Sequence, residues 1–269
     1  MKLGIIGGGA WGTALAQGAA QGGRETLLWA LEDDVVSAIN RIHENPIYLK
    51  GVKLDPAIRA TGNFSERAHC VAWLVVTPAQ HTRAVLDRMP CPGMPLVLCA
   101  KGIEESSGAL LHEVARQICP TSPIAVLSGP TFAHEVAKRL PTAVTLAGED
   151  LTLAERLRDR LAQPTFRIYV SDDVAGAEIG GAVKNVLAIA CGVVEGKGLG
   201  QNARAALIAR GFAEMRRFGL ACGAKRETLA GLSGLGDLVL TCSSTSSRNY
   251  SLGVGIGEGR PAAELLSNL

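Results

Sequence analysis

The chain reads as an α/β fold: a parallel, doubly wound sheet with helices on both faces, followed by a smaller all-helical domain. Three observations predict it. Short apolar runs alternate with helical stretches from the N-terminus to about residue 170. The first unit runs strand, helix, strand within roughly thirty residues, a spacing that makes its two strands parallel. From Ser171 the strand signal stops and long helical stretches of small residues take over.

In order, Lys2–Gly7 reads as a buried strand, Ala10–Gly22 as a helix of small residues and Glu25–Ala30 as a second strand. Further buried strands are predicted at Val71–Val76, Leu96–Ala100, Ile124–Leu127, Thr142–Ala147 and Phe166–Val170, each ending at turn or polar residues. Alternation of this kind marks a sheet wound in both directions. Val174–Cys191 and Asn202–Gly219 then read as helices. Gly231–Asp237 is a glycine-rich loop, and Thr241–Asn249 a Ser/Thr-rich loop leading into a last helical stretch. The expected domains are residues 1–170 and 171–269.

Composition narrows the function classes. Of 269 residues, 47% are apolar and 19% charged, which excludes a disordered chain. A net charge of +2 leaves no electrostatic footprint for nucleic acid, and 4% aromatics argues against base-stacking platforms. Seven cysteines, an odd number without a C-x-x-C pair, argue against a disulfide framework or a zinc site, so no metal is expected. They read as small core residues in a reducing, cytoplasmic setting. No apolar run suggests a membrane span.

Gly7-Gly8-Gly9-Ala10-Trp11-Gly12 fits G-x-G-x-x-G between the first strand and the first helix. Gly7 permits the tight turn, Gly9 lets backbone approach a pyrophosphate, and Gly12 lets helix pack on strand. The helix N-terminus adds N–H donors and partial positive charge. That context predicts a Rossmann-type site for NAD or NADP. At the end of the second strand, Glu32 and Asp33 are candidates for the ribose hydroxyls or simply solvated acids of a helix start. No Arg occupies that turn to meet a 2′-phosphate.

All five histidines lie between His43 and His134, so proton transfer from the second domain falls to another residue type. Lys184 stands out in an otherwise uncharged helical stretch. It either snorkels to the surface or is buried beside a ligand. Gly180, Gly181 and Ala188 should leave a hollow around it, and burial would lower its pKa toward neutrality. Asp237 closes a loop whose glycines imply close backbone approach; it is a site residue or a helix cap. Ser246-Ser247-Arg248-Asn249 reads as an anion site suited to a phosphate, or as an exposed capping loop. Lys101 follows a buried strand and so sits at the carboxyl edge, where open α/β sheets bind ligands.

Together these stretches, with Asn45-Pro46-Ile47-Tyr48-Leu49, Lys101-Gly102-Ile103, Ser128-Gly129-Pro130-Thr131-Phe132-Ala133, Gly181–Val186, Gly234–Leu238 and Ser247-Arg248-Asn249, resemble the bacterial NAD(P)-dependent glycerol-3-phosphate dehydrogenase family. The resemblance implies a 6-phosphogluconate-dehydrogenase-like arrangement of a Rossmann domain and a helical domain. It implies reversible reduction of dihydroxyacetone phosphate to sn-glycerol 3-phosphate with NAD(P)H, supplying glycerophospholipid synthesis. By likeness Lys184 is the proton donor and acceptor. Lys101, Gly129, Thr131, Lys184, Asp237, Ser247, Arg248 and Asn249 would line the substrate site. Gly7, Gly9, Ala10, Trp11, Gly12, Lys101, Ala133 and Arg248 would hold the cofactor. Leu31 stands where relatives often carry Arg or His, which weakens NADP preference. The family pattern continues past Leu269 with further helices, so the chain is expected to be incomplete at that end. A homodimer is compatible with the resemblance. The alternatives are another two-domain hydroxy-acid dehydrogenase and a non-catalytic NAD(P)-binding remnant.

Overall fold

The computed structural model describes residues 2–67, 70–89 and 93–267. Eight strands form one sheet: β1 (Lys2–Ile6), β2 (Glu25–Trp29), β3 (Ile58–Thr61), β4 (Cys70–Val75), β5 (Leu96–Leu98), β6 (Ile124–Ser128), β7 (Thr142–Gly148) and β8 (Phe166–Ser171). Their order is β3-β2-β1-β4-β5-β6-β7-β8. The pairings of β1 with β2 and β4, of β2 with β3, of β5 with β4 and β6, and of β7 with β8 are parallel. The chain starts in the middle, winds out to β3, then returns to β4 on the other side of β1. The carboxyl ends of β1 and β4 are therefore a topological switch point, where such sheets bind ligands. Helices α1 (Ala10–Gln21), α2 (Asp33–Ile42), α3 (Thr82–Asp87), α4 (Leu111–Ile118), α5 (Ala133–Ala137) and α6 (Leu151–Leu161) connect the strands.

β3 is a strand that sequence pattern does not reveal. It has only four residues, with Arg59 exposed between Ile58 and Ala60, and too little apolar run to register. The core of this unit is formed by Leu3, Ile5, Leu28, Leu74, Val97 and their neighbours. Gly4 belongs to the same packing: a Cβ there would sit 2.2 Å from the indole of Trp73, which is 1% exposed. Omitting one side chain on β1 makes room for the largest one on β4.

The chain divides into two compact units, Met1–Leu127 with Thr131–Val174, and Ser128–Pro130 with Ala175–Leu269. Helices α7 (Val174–Gly196), α8 (Gly200–Ala221), α9 (Arg226–Ala230), α10 (Asp237–Cys242), α11 (Arg248–Gly257) and α12 (Ala262–Ser267) supply the second unit, with one wide helical turn at Leu232–Gly236. Its small-residue texture has a concrete cause. A Cβ on Gly192 would lie 2.1 Å from Tyr250 O, and one on Gly253 would lie 2.0 Å from Ile189 O. Gly196 and Gly257 are also tight: a Cβ on them would lie 2.2 Å from Val254 O and 2.6 Å from Val193 O. α7 and α11 thus pack backbone against backbone.

α7 bears on the expectation about membrane spans. By length and composition it would suffice to cross a bilayer, one 18-residue window of it having a mean hydropathy of 1.5, but half of that window is buried within the protein, as in the core helix of a folded domain. Its apolar face belongs to a core of Ala188, Cys191, Met215, Leu238, Cys242 and Tyr250. Cys70, Cys99, Cys191, Cys222 and Cys242 are free thiols, all buried except Cys222. Cys119 is disulfide-bonded, against the expectation of no disulfide framework.

Candidate functional site

The first unit carries the glycine loop between β1 and α1. Gly7 sits at φ +122°, a conformation that favours glycine, and donates its N–H to Trp29 O at 2.9 Å. A Cβ on Gly12 would lie 1.9 Å from Gly7 O, so α1 starts directly against the turn. Gly9 is different. It precedes α1 as an extended residue, no side chain caps the helix there, and a Cβ at Gly9 would meet nothing within 4 Å. Open space at the N-terminus of a 12-residue helix is what a pyrophosphate requires, so the residues present fit a dinucleotide.

The loop is held from behind. Asn45 is fully buried and donates to Gly8 O and to Thr13 Oγ1, both at 2.8 Å. Thr13 Oγ1 also donates to Gly8 O at 3.2 Å. Asn45 and Thr13 entered the sequence reading only through the stretches that carry the resemblance, and neither was given a role there; they meet across 32 residues of chain. Ala10 and Trp11 form the first turn of α1, with Trp11 half-buried against the unit's core. Ala133 opens α5 and Thr131 precedes it, both half-buried. Lys101 lies three residues past β5, at the carboxyl edge of the sheet, as expected.

The segment after Lys101 is firmly stitched. Arg83 donates from Nε and Nη2 to the two oxygens of Glu104, each at 2.8 Å, and Ser107 Oγ donates to Glu104 Oε2 at 2.5 Å. These bonds, Arg83 first, pull the Glu104 carboxyl down to about 2 against the effect of burial. Gln80 bonds both Ile103 O and Glu105 N at 2.9 Å.

The second unit holds Gly129, Lys184, Asp237, Ser247, Arg248 and Asn249. Lys184 is 7% exposed, which settles burial over snorkelling. Its Nζ donates to Asp237 Oδ1 at 2.6 Å and to Thr241 Oγ1 at 2.9 Å. Asp237 and Thr241 are one turn apart on α10, so the wide turn before α10 aims both at the same ammonium. Asp237 is 0% exposed, and its Oδ1 accepts from Thr241 Oγ1 at 3.4 Å as well as from Lys184.

Two expectations are corrected. Gly180, one turn from Lys184, does not leave a hollow: a Cβ there would lie 2.3 Å from Ser233 O. Nor does Gly234 in the Gly231–Asp237 loop await a ligand, since it presses on Leu229 O, 1.9 Å from where its Cβ would be. In both places the missing side chains are used for contact within the chain. Ser233 Oγ in turn donates to Ser128 O at 3.2 Å, fastening the segment that contains Gly129.

Ser247 caps α11, its Oγ accepting from Tyr250 N at 3.2 Å, so the capping alternative holds for that hydroxyl. Arg248, first residue of α11, is exposed and makes no ion pair or hydrogen bond among the described residues. Asn249 Nδ2 donates to Asn185 Oδ1 at 2.9 Å, tying the start of α11 to the residue after Lys184. Thr241 and Asn185 are the side chains that sequence reasoning missed. The signals were present: Thr241 lies four residues from Asp237, and Asn185 adjoins Lys184 within a matched stretch. Among the described residues no cluster of His, Cys, Asp and Glu is arranged to hold a metal.

Residues 2–154 match the family described as NAD-dependent glycerol-3-phosphate dehydrogenase N-terminus, and residues 173–269 match its C-terminus. A glycerol-3-phosphate dehydrogenase [NAD(P)+] of Erythrobacter litoralis is 63% identical over 99% of this chain and 81% of its own length. One of Parvibaculum lavamentivorans is 58% identical over 98% of this chain and 80% of its own. Among solved structures, a glycerol-3-phosphate dehydrogenase of Coxiella burnetii superposes with a TM-score of 0.95 at 40% identity, covering 99% of this chain and 83% of that one.

Proposed function

The chain belongs to the NAD-dependent glycerol-3-phosphate dehydrogenase family, and on that premise we propose how its own residues carry the reaction. The activity is the reversible reduction of dihydroxyacetone phosphate to sn-glycerol 3-phosphate with NAD(P)H, which feeds glycerophospholipid synthesis. The observation that carries the reading is the buried Lys184 ammonium, held by Asp237 at 2.6 Å and Thr241 at 2.9 Å.

When bound, the nicotinamide supplies or accepts the hydride. Lys184 holds a proton at the carbonyl oxygen and gives it up as that oxygen becomes a hydroxyl; in the reverse direction it takes the proton back. Its positive charge also steadies the oxygen while negative charge develops there. Asp237 balances that charge in a buried site, and Thr241 fixes the direction of the ammonium. Arg248, exposed and unpaired, is assigned to the substrate phosphate, with Asn249 as a neutral donor beside it. Gly7, Gly9, Gly12, Ala10 and Trp11 form the pyrophosphate cradle. Lys101, Gly129, Thr131 and Ala133 complete the assignment on the strength of the resemblance.

A cytoplasmic location and a homodimer belong to the same reading. The test is oxidation of NADH and NADPH by the purified chain, with and without dihydroxyacetone phosphate. Turnover dependent on that substrate, and inhibited by glycerol 3-phosphate, supports the reading. Cofactor binding without turnover would sink it.

A further inference from the structure

Two thiols lie beside the lysine site without a part in the reaction. Cys191 on α7 and Cys242 on α10 are both 0% exposed and share one core with Ala188, Leu238 and Tyr250. Both are free, and their side chains are hydrogen-bonded to each other. They sit on helices that already meet through Lys184, whose Nζ reaches Asp237 and Thr241 on α10. Cys242 is the residue after Thr241, and Cys191 follows Lys184 by about two turns on the same face of α7. Two sulfurs are therefore in contact across the helix pair that holds the ammonium.

The two sulfurs are not equivalent. Arg204 on α8 is fixed close to Cys191, its Nη1 donating to Glu195 Oε2 and to Tyr250 Oη, each at 2.9 Å. Glu195 lies one turn past Cys191 on α7, and Tyr250 belongs to the same core as the thiols. The Cys191 thiol is held below its ordinary value by the hydrogen bond from Cys242 first, with burial opposing and the Arg204 charge assisting. Cys242 is pushed up by donating that bond and by burial, with the Lys184 charge pulling the other way. The thiolate is the nucleophile toward an oxidant, so Cys191 is the sulfur that reacts first and Cys242 the one that resolves it.

We propose that Cys191 and Cys242 are a reversible oxidation site, closing to a disulfide on exposure to a peroxide and thereby slowing turnover at Lys184. The effect on turnover rests on the dehydrogenase reading; the disulfide does not. The Cys191 thiolate attacks one peroxide oxygen, an S–O bond forms, the O–O bond breaks, and the departing hydroxide takes a proton to become water. The Cys242 sulfur then attacks the Cys191 sulfur, the S–S bond forms, the S–O bond breaks, and the second hydroxide leaves with the Cys242 proton as water. Two thiols lose two electrons and two protons, and the peroxide is reduced to two waters. A covalent bond holds two sulfurs closer than a hydrogen bond does, so closure draws α10 toward α7 at the residue beside Thr241. A displacement of about 1 Å at such a site costs up to about 10²-fold in rate. A dithiol reductant reopens the pair by exchange.

The test treats the purified chain with hydrogen peroxide, maps its cysteine peptides by mass spectrometry after alkylation, and follows NADH oxidation with dihydroxyacetone phosphate. The map should show Cys191 linked to Cys242, turnover should fall at least about tenfold, and dithiothreitol should reverse both. Cys222 is the exposed thiol and serves as the control for unselective oxidation. Cys222→Ser should keep the link and the loss of rate, whereas Cys191→Ala and Cys242→Ala should show neither. Thiols left intact by peroxide, oxidation at Cys222 alone, or a link from Cys191 to another cysteine would each overturn the site. That map is read on the wild-type chain, so it stands whether or not the variants fold. A link that leaves the rate unchanged, or a reversible loss of rate that persists in Cys242→Ala, would overturn the control of turnover. If the reduced chain turns nothing over, that control falls with the dehydrogenase reading, while the peptide map still decides the disulfide.

Discussion

Lys184 and Asp237 form a buried ion pair between α7 and α10, nitrogen to oxygen 2.6 Å, with the carboxylate fully excluded from solvent. Such a pair is poor evidence for stability, because desolvating two charges costs about as much as their attraction returns. Its value lies in placement. It keeps a charged lysine at one position inside a helix bundle, where a solitary ammonium would be untenable, and Thr241 removes a remaining degree of freedom.

Lys184→Met should therefore do two things. Turnover should fall by about 10²–10⁴-fold, the range for a positioned acid. The fold should also lose about 3–5 kcal/mol, since Asp237 is left as an unpaired buried charge. Adding Asp237→Asn should recover much of that stability without recovering activity. Urea unfolding of the single and double variants, beside their steady-state rates, separates the roles. A double variant as unstable as the single one would show that the pair is not what the lysine contributes to the fold.

Arg248 offers the opposite case. It is exposed and unpaired at the start of α11, so Arg248→Ala should change stability by no more than about 0.5 kcal/mol. The KM for dihydroxyacetone phosphate should rise about 10- to 150-fold, the equivalent of a charge-assisted bond of roughly 1.5–3 kcal/mol. Ser247→Ala, which removes the cap of α11, should instead cost about 1 kcal/mol of stability. Michaelis constants and melting temperatures on both variants distinguish a ligand contact from a structural one; a change below about twofold in KM would remove Arg248 from the site.

Most of the sheet was legible because its strands are buried runs of apolar residues ending at turns. β3 was not, because Ile58–Thr61 is short and carries Arg59. Lys184 was visible as the one charge in an apolar stretch. Its pairing was not, though Asp237 was singled out on its own and Thr241 was not: they lie 53 and 57 residues away, and the turn that aligns them is set by packing of Gly234 on Leu229. The glycines misled for a related reason. A glycine announces close approach but not what approaches, and around Lys184 it is Ser233 backbone rather than substrate.

The glycine loop turns that distinction into an experiment. A Cβ on Gly12 would lie 1.9 Å from Gly7 O, whereas one on Gly9 meets nothing within 4 Å. Gly12→Ala should cost about 1–3 kcal/mol by overpacking. Gly9→Ala should leave stability within about 0.5 kcal/mol, since Gly9 already has an ordinary extended backbone. Its methyl would occupy the approach path of the pyrophosphate, so NADH binding should weaken at least about tenfold. Unchanged NADH affinity in Gly9→Ala would mean that the cofactor does not approach the loop there.

The segment that follows Lys101 should make part of the stability acid-sensitive. Glu104, 5% exposed, takes both donors of Arg83 and one from Ser107, and its carboxyl is held down to about 2 from an ordinary 4.5. A group whose folded value is depressed stabilises the fold above its unfolded value and loses that contribution as pH falls toward its folded value. Wild type should accordingly be more stable than Glu104→Gln at neutral pH by an amount that is constant down to about 4.5, shrinks between 4.5 and 2, and levels off below. Urea midpoints of both proteins across that window give the difference directly. A gap that stays constant to pH 2 would mean that Glu104 acts through the shape of its hydrogen bonds alone. A gap that widens on acidification would overturn the assignment of a charged carboxylate facing Arg83.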